Sequence, residues 1–121
     1  MVSWLLDKHR PLCSQICENL CREIAVGTHL PEERLPSVRE MAATAGVNPN
    51  TVQAAMNTLE EQGILYSVRG SGWYVQADIT RAQETLHRLR LERTADYFRM
   101  MSTLGLTAEE TKQFVKEWDN E

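Results

Sequence analysis

Two helix starts and a glycine-bearing hairpin follow one another between Leu35 and Val75, in the run LPSVREMAATAGVNPNTVQAAMNTLEEQGILYSVRGSGWYV. The first start is Ser37-Val38-Arg39-Glu40, an S-x-x-E capping box in which Ser37 accepts from the Glu40 backbone N–H and Glu40 reaches back to Ser37. Pro36 disfavours helical geometry at Leu35. The spacing predicts a helix through Met41 and Ala42 to about Ala45, closed by Gly46 in the left-handed conformation that a terminal glycine adopts cheaply. Val47 is the apolar plug of the turn. The second start is Asn48-Pro49, a strong N-cap followed by proline where its missing N–H costs nothing. This helix is predicted to continue to Gln62 and to stop at Gly63, with Val52, Ala55, Met56 and Leu59 as its buried stripe. Ile64–Val68 and Trp73–Val75 read as strands joined by Arg69-Gly70-Ser71-Gly72. Helix, turn, helix and hairpin in that order form a winged helix-turn-helix, a module that lays its second helix in the DNA major groove.

Polarity along the second helix fits that use. Asn48, Asn50, Thr51, Gln53 and Asn57 fall off the apolar stripe, and the acidic pair Glu60-Glu61 sits at the far end. A recognition helix presents its first turns to base edges. Asn and Gln pair bidentately with adenine, and a helix N-terminus favours phosphate. A blander assignment is that these residues only cap and solubilise the helix. Likewise a glycine-rich tip with one arginine is an ordinary hairpin turn.

The segments LPSVREMA, GVNPNTVQ, LEEQGIL and VRGSGWYV together resemble the DNA-binding domain of the GntR family of bacterial transcription regulators, over roughly residues 10 to 77. The NPNTVQ turn and the short tail are similar to the YtrA-like subfamily, whose C-terminal part is a pair of dimerising helices without a large ligand-binding domain. The resemblance implies DNA contacts from Ser37 and Arg39 on the first helix, from Asn48, Asn50, Thr51 and Gln53 on the second, and from Arg69 and Gly70 on the wing. It also implies a repressor, with targets among transporter operons near its own gene. Some positions depart from the family pattern. Glu32 follows Pro31 where members usually carry glycine, Ala54 replaces a basic residue after TVQ, and Ser71 and Trp73 alter the wing.

The flanks complete the expected layout, which is mainly α with a small β-hairpin wing. Residues 1–77 form the winged helix-turn-helix domain, and residues 78–121 form a two-helix dimerisation segment. Leu12, Ile16, Leu20 and Ile24 mark one face of a supporting helix from about Pro11 to Val26, ended by Gly27. Trp4-Leu5-Leu6 is expected to pack on the domain or on a partner subunit. Residues from Asp78 to Thr103 contain neither Gly nor Pro. There Ile79, Ala82, Leu86, Leu89, Tyr97, Met100 and Leu104 make a helical stripe, with Leu91, Ala95 and Phe98 beside it. Gly105 breaks this helix, and Thr107-Ala108-Glu109-Glu110 is a second capping box that opens a last helix bearing Phe114, Val115 and Trp118. A two-helix hairpin cannot bury that much apolar surface alone, so a second copy of the chain in a C2 homodimer is the expected cover. Packing back on the winged domain is the alternative.

Charge is the feature least suited to a DNA binder. The net charge is −4, and residues 1–77 hold six Lys/Arg against eight acids. Few phosphate-directed cations predict weak non-specific binding and a shallow salt dependence, so useful affinity is expected only from a dimer. The acidic balance slightly favours a rival reading, a winged-helix protein-interaction module with Trp73 as its apolar anchor. Cys13, Cys17 and Cys21 line one helical stripe, which suggests either a redox or metal sensor or small side chains at the margin of the apolar face. No CxxC pair occurs, and no nucleophile elbow or phosphate-binding glycine loop supports an enzyme. No cofactor or metal is expected. The opening MVSWLLDKHR lacks the pattern of a signal peptide, no apolar run approaches the length of a membrane helix, and the cytoplasm is the expected location. With about 40 residues after the wing, a deep ligand cavity within one chain is not expected.

Overall fold

A computed structural model of the chain describes residues 4–119. Its elements are α1 (Leu12–Ala25), α2 (Val38–Ala45), α3 (Pro49–Glu61), β1 (Leu65–Val68), β2 (Gly72–Val75), α4 (Thr80–Thr103) and α5 (Ala108–Glu117). The ends of the two expected segments, residues 1–3 and 120–121, lie outside the described residues. Each helix predicted from capping chemistry begins where that chemistry places it. Ser37 Oγ accepts from the Glu40 N–H at 3.1 Å while Glu40 Oε1 accepts from the Ser37 N–H at 3.4 Å. Thr107 and Glu110 repeat the reciprocal pair at the start of α5. The Thr107 N–H donated to the Glu110 carboxylate, joined by the Thr107 hydroxyl, holds that carboxyl below its usual range. Gly46 takes φ +71° and ends α2 in the left-handed conformation.

The core sits where α1, α2 and α3 meet the hairpin. Ile16, Leu20 and Ile24 of α1, Met41 of α2, and Val52, Ala55, Met56 and Leu59 of α3 are buried, together with Leu35, Ile64, Leu65 and Val75. Burial of such side chains is the main source of stability for a unit this small. The segment before α1 is tied on by polar bonds. The buried Gln15 side chain accepts from the Asp7 N–H and donates to the Asp7 carbonyl, both at 2.7 Å. Trp4 donates its indole N–H to Glu23 at 2.8 Å and packs with Leu6 against the core, whereas Leu5 is 99% exposed.

The two-stranded antiparallel sheet pairs Leu65 with Val75 and Val68 with Gly72. A third segment joins it. Glu32 N–H donates to the Val75 carbonyl, Val75 N–H to the Glu33 carbonyl, and Leu35 N–H to the Trp73 carbonyl, at 2.8–3.0 Å. The segment from Glu32 to Leu35, two acids and an arginine before the first capping box, therefore covers the outer edge of β2, which removes an exposed strand edge.

The chain forms two compact units, one reaching to Leu86 and the other starting at His87. The first includes the opening turns of α4: Ala82 is buried, and the Cys21 thiol donates to its carbonyl at 3.3 Å. Asp78 caps those turns by accepting from the Thr80 hydroxyl and N–H, which holds its carboxyl below the usual range. In the second unit, the rest of α4 and α5 make a helical hairpin whose apolar side chains stay largely uncovered. Leu91, Tyr97, Met100, Leu104, Phe114, Val115 and Trp118 are all exposed, and Thr111 is the buried residue of α5. The helical stripe read from the sequence divides: Ile79 and Ala82 join the core of the first unit, whereas Tyr97, Met100 and Leu104 stay uncovered in the single chain.

Candidate nucleic-acid interface

The N-terminal turns of α3 stand out from the protein. Asn48, Asn50 and Gln53 are exposed and Thr51 is half-buried, while Val52, Ala55, Met56 and Leu59 turn inward. Asn48 is first a cap: its Oδ1 accepts the Asn50 N–H at 2.8 Å, which fixes the side chain and leaves its amide nitrogen to donate to an outside partner. Asn48→Ala is accordingly expected to lower the unfolding free energy by about 1 kcal/mol, measured by thermal or urea unfolding. Asn48→Asp keeps the accepting oxygen and should leave stability unchanged. Gln53 donates its side-chain N–H to Asn57 Oδ1 at 3.0 Å, one helical turn on. This bond holds the two amides as one oriented pair, with Gln53 Oε1 and the Asn57 amide nitrogen available for base edges or phosphate. Asn57 was legible as an off-stripe polar residue, but its pairing with Gln53 was not.

Arg39 is exposed on the first turn of α2, beside the half-buried Ser37 whose hydroxyl is engaged in the capping box. On the wing, Arg69 and Gly70 are exposed. Gly70 has φ +78°, and a Cβ there would meet nothing within 4 Å, so the backbone at the tip is open to close approach. Two contacts that sequence reading missed set the wing. Glu60, near the end of α3, accepts from both the N–H and the hydroxyl of Ser67 on β1, at 3.2 and 2.8 Å. The base of the wing is thereby fastened to the far end of the reading helix. Arg34, on the edge-covering segment, donates Nε–H to the Ser71 carbonyl at 2.8 Å. The Tyr66 and Tyr74 rings stack at 5.5 Å, and Tyr74 shares a hydrogen bond with the Ser71 hydroxyl.

Residues 12–75 match the bacterial regulatory proteins, gntR family. The chain belongs to that family. It is 32% identical to the HTH-type transcriptional repressor YtrA of Bacillus subtilis, over 88% of this chain and 83% of that one, and this similarity places it with the YtrA-like members. A GntR family transcriptional regulator from Listeria monocytogenes has the same fold at TM-score 0.82 and 35% identity, covering 94% of this chain and all of its own. AraR(DBD), solved in complex with its operator ORX1, matches at TM-score 0.53 and 32% identity over 62% of this chain and 92% of that one. The chain is a DNA-binding transcription regulator of the GntR family.

The acidic balance of this GntR-family chain is explained by where its carboxylates are held. Glu40 closes a capping box, Glu60 holds Ser67, and Asp7 binds the His9 N–H and the Arg10 guanidinium. Glu23 and Glu33 face the two ring nitrogens of His29 at 2.9 and 3.1 Å. The Leu30 N–H, followed by His29, holds the Glu33 carboxyl below its usual range. These acids brace the fold, and none of them lies in the opening turns of α3 or between Ser67 and Val75. Two of the cysteines are tied into the packing, and Cys21 is held by its bond to the Ala82 carbonyl. Cys17 donates to the Ala55 carbonyl at 3.5 Å, and burial, reinforced by neighbouring Cys13, pushes its thiol up to about 12. At neutral pH it is a protonated packing group, far from the thiolate that redox and metal chemistry require. Among the described residues no cluster of His, Cys, Asp and Glu is arranged to hold a metal ion.

Proposed function

We propose that this GntR-family regulator is a repressor that binds a palindromic operator as a homodimer. The opening of α3 reads the major groove, Ser37 and Arg39 hold the phosphate backbone, and Arg69 and Gly70 of the wing lie against the adjacent groove. Half-sites would lie about one helical turn apart, as two-fold related helix-turn-helix proteins require. Residues 78–121 serve as the dimerising segment, and the protein acts in the cytoplasm. Among the described residues no helix is long and apolar enough to cross a membrane.

The observation that carries this reading is the neutral, amide-rich tip of α3, which exposes Asn48, Asn50 and Gln53 and is free of carboxylates. A protein-interaction surface would instead present apolar anchors, and Trp73 does not serve as one because it is half-buried and packed against the core. The test is a shift assay on DNA upstream of the protein's own coding region. Arg39→Ala should weaken binding about tenfold on every sequence, the effect of losing a phosphate contact. Gln53→Ala should relax base preference by about 1–3 kcal/mol at one position of each half-site. Asn48→Asp, which keeps the accepting oxygen of the cap, should bind worse because its charge would face phosphate. Unchanged affinity on Arg39→Ala would show the site to be wrongly assigned.

A further inference from the structure

We infer that Arg34 is a second DNA-contacting cation at the wing tip, a role that rests on the DNA-binding reading above. From the sequence the wing has one cation at its tip, Arg69, and Arg34 belongs to a connector far from it. The fold brings Arg34 to the same turn. The backbone around Arg34 is fixed on the edge of β2 by the Val75-to-Glu33 and Leu35-to-Trp73 hydrogen bonds, in register with Tyr74. Its side chain then crosses to the turn, where Nε–H is bound to the Ser71 carbonyl at 2.8 Å. Gly72 makes room for it: a Cβ there would stand 3.4 Å from Arg34 Nε and 3.6 Å from Nη2, at a φ of +130° that disfavours any side chain.

This geometry does more than brace a turn. A guanidinium carries its other N–H donors on the two Nη atoms, in a planar fork suited to phosphate oxygens. Nε is used up by Ser71, so the fork is oriented, and the residue is exposed. No carboxylate occurs from Ser67 to Val75 to neutralise it. A cation already held at two points loses less freedom on contact than a free surface arginine would. Arg34 thus supplies one of the phosphate contacts that Ala54, standing where the family pattern has a basic residue, does not.

The salt dependence of binding reads this role directly. A duplex is selected from a random-sequence pool by the wild-type protein, and its affinity is followed by fluorescence anisotropy across a sodium chloride series. Each phosphate contact contributes about 0.9 to the slope of log affinity against log salt. Arg34→Gln should therefore flatten the slope by about 0.9 per subunit and weaken binding about tenfold at low salt, with an unchanged thermal unfolding curve. Arg34→Lys keeps the charge and should retain the slope with a smaller loss of affinity. If Arg34→Gln weakens binding at an unshifted slope, the residue only braces the wing and the inference is overturned. It is overturned equally if affinity does not change, or if Arg34→Lys flattens the slope as much as Arg34→Gln. Arg39→Ala on the same duplex separates the two readings: loss there with Arg34→Gln intact removes Arg34 alone. Failure of the wild-type protein to select any duplex would remove the DNA-binding reading and this one with it.

Discussion

Leu59→Ala is expected to lower the urea midpoint of the winged unit by about 1–2 M, the consequence of losing about 2–5 kcal/mol from a fully enclosed leucine in a small domain. Leu59 is 0% exposed and lies on α3 among Met56, Ile64 and the α1 face. The residue after it is Glu60, whose carboxylate holds Ser67 and with it the base of the wing. The substitution therefore acts twice. It opens a cavity that the packed α1–α3 contact cannot collapse around, and it loosens the turn of helix that presents Glu60. Since domains of this size have only about 5–15 kcal/mol in hand, the variant should also bind DNA weakly at 37 °C and recover at lower temperature. Leu5→Ala, at a position 99% exposed, is the matched control and should shift nothing. A Leu59→Ala midpoint equal to wild type would mean that α3 does not anchor the core.

How much of this could be read in the chain depended on how locally each feature is encoded. Ser37 with Glu40, Thr107 with Glu110, and Asn48 with Pro49 are interactions closed within one helical turn, so their residue types alone placed α2, α5 and α3. The stripe Val52, Ala55, Met56 and Leu59 was legible for the same reason, because helical spacing puts those side chains on one face. The edge pairing of residues 32–35 left no such mark. It is made by backbone groups, which every residue carries, and it joins positions about 40 apart. Arg34 was consequently read as a connector, although Gly72 was a partial signal, since a second glycine in a short turn indicates close approach of something. The bond from Glu60 to Ser67 was hidden similarly: a glutamate at the end of a helix looks solvated until the strand that follows folds back. The thiols of Cys17 and Cys21 find carbonyls on α3 and α4, so their helical stripe was visible but their partners were not. Asn48 shows a subtler failure. Capping and base reading call for the same residue type, and only the 2.8 Å bond to the Asn50 N–H shows that the cap comes first.

In the proposed homodimer, Phe114→Glu is expected to separate the subunits and to reduce operator affinity by about 10²- to 10⁴-fold, the range over which joining two binding modules raises avidity. The helical hairpin from His87 onward is the reason. Its α4 and α5 portions enclose an open groove of about 490 Å³, lined by Tyr97, Phe98, Phe114, Val115 and Trp118 together with Arg93. Phe114 and Trp118 are 56% and 67% exposed in the single chain, and Met100 and Leu104 add further uncovered apolar surface. Leaving this surface in water costs about 25 cal/mol for each Å² that a partner would cover, and a two-fold related copy offers the same side chains in return. A glutamate at 114 meets water in the monomer, so the substitution should not harm the fold of one chain, and circular dichroism should match wild type. In a dimer it would place a carboxylate in the apolar seam opposite its own copy, which is strongly unfavourable. Light scattering coupled to size exclusion gives the mass, and anisotropy on a full palindrome and on a single half-site gives the affinity. Wild type should favour the palindrome by the whole avidity factor, whereas Phe114→Glu should bind both duplexes alike. A wild-type mass of one chain at micromolar concentration would defeat the dimer proposal, and so would a Phe114→Glu protein that still prefers the palindrome.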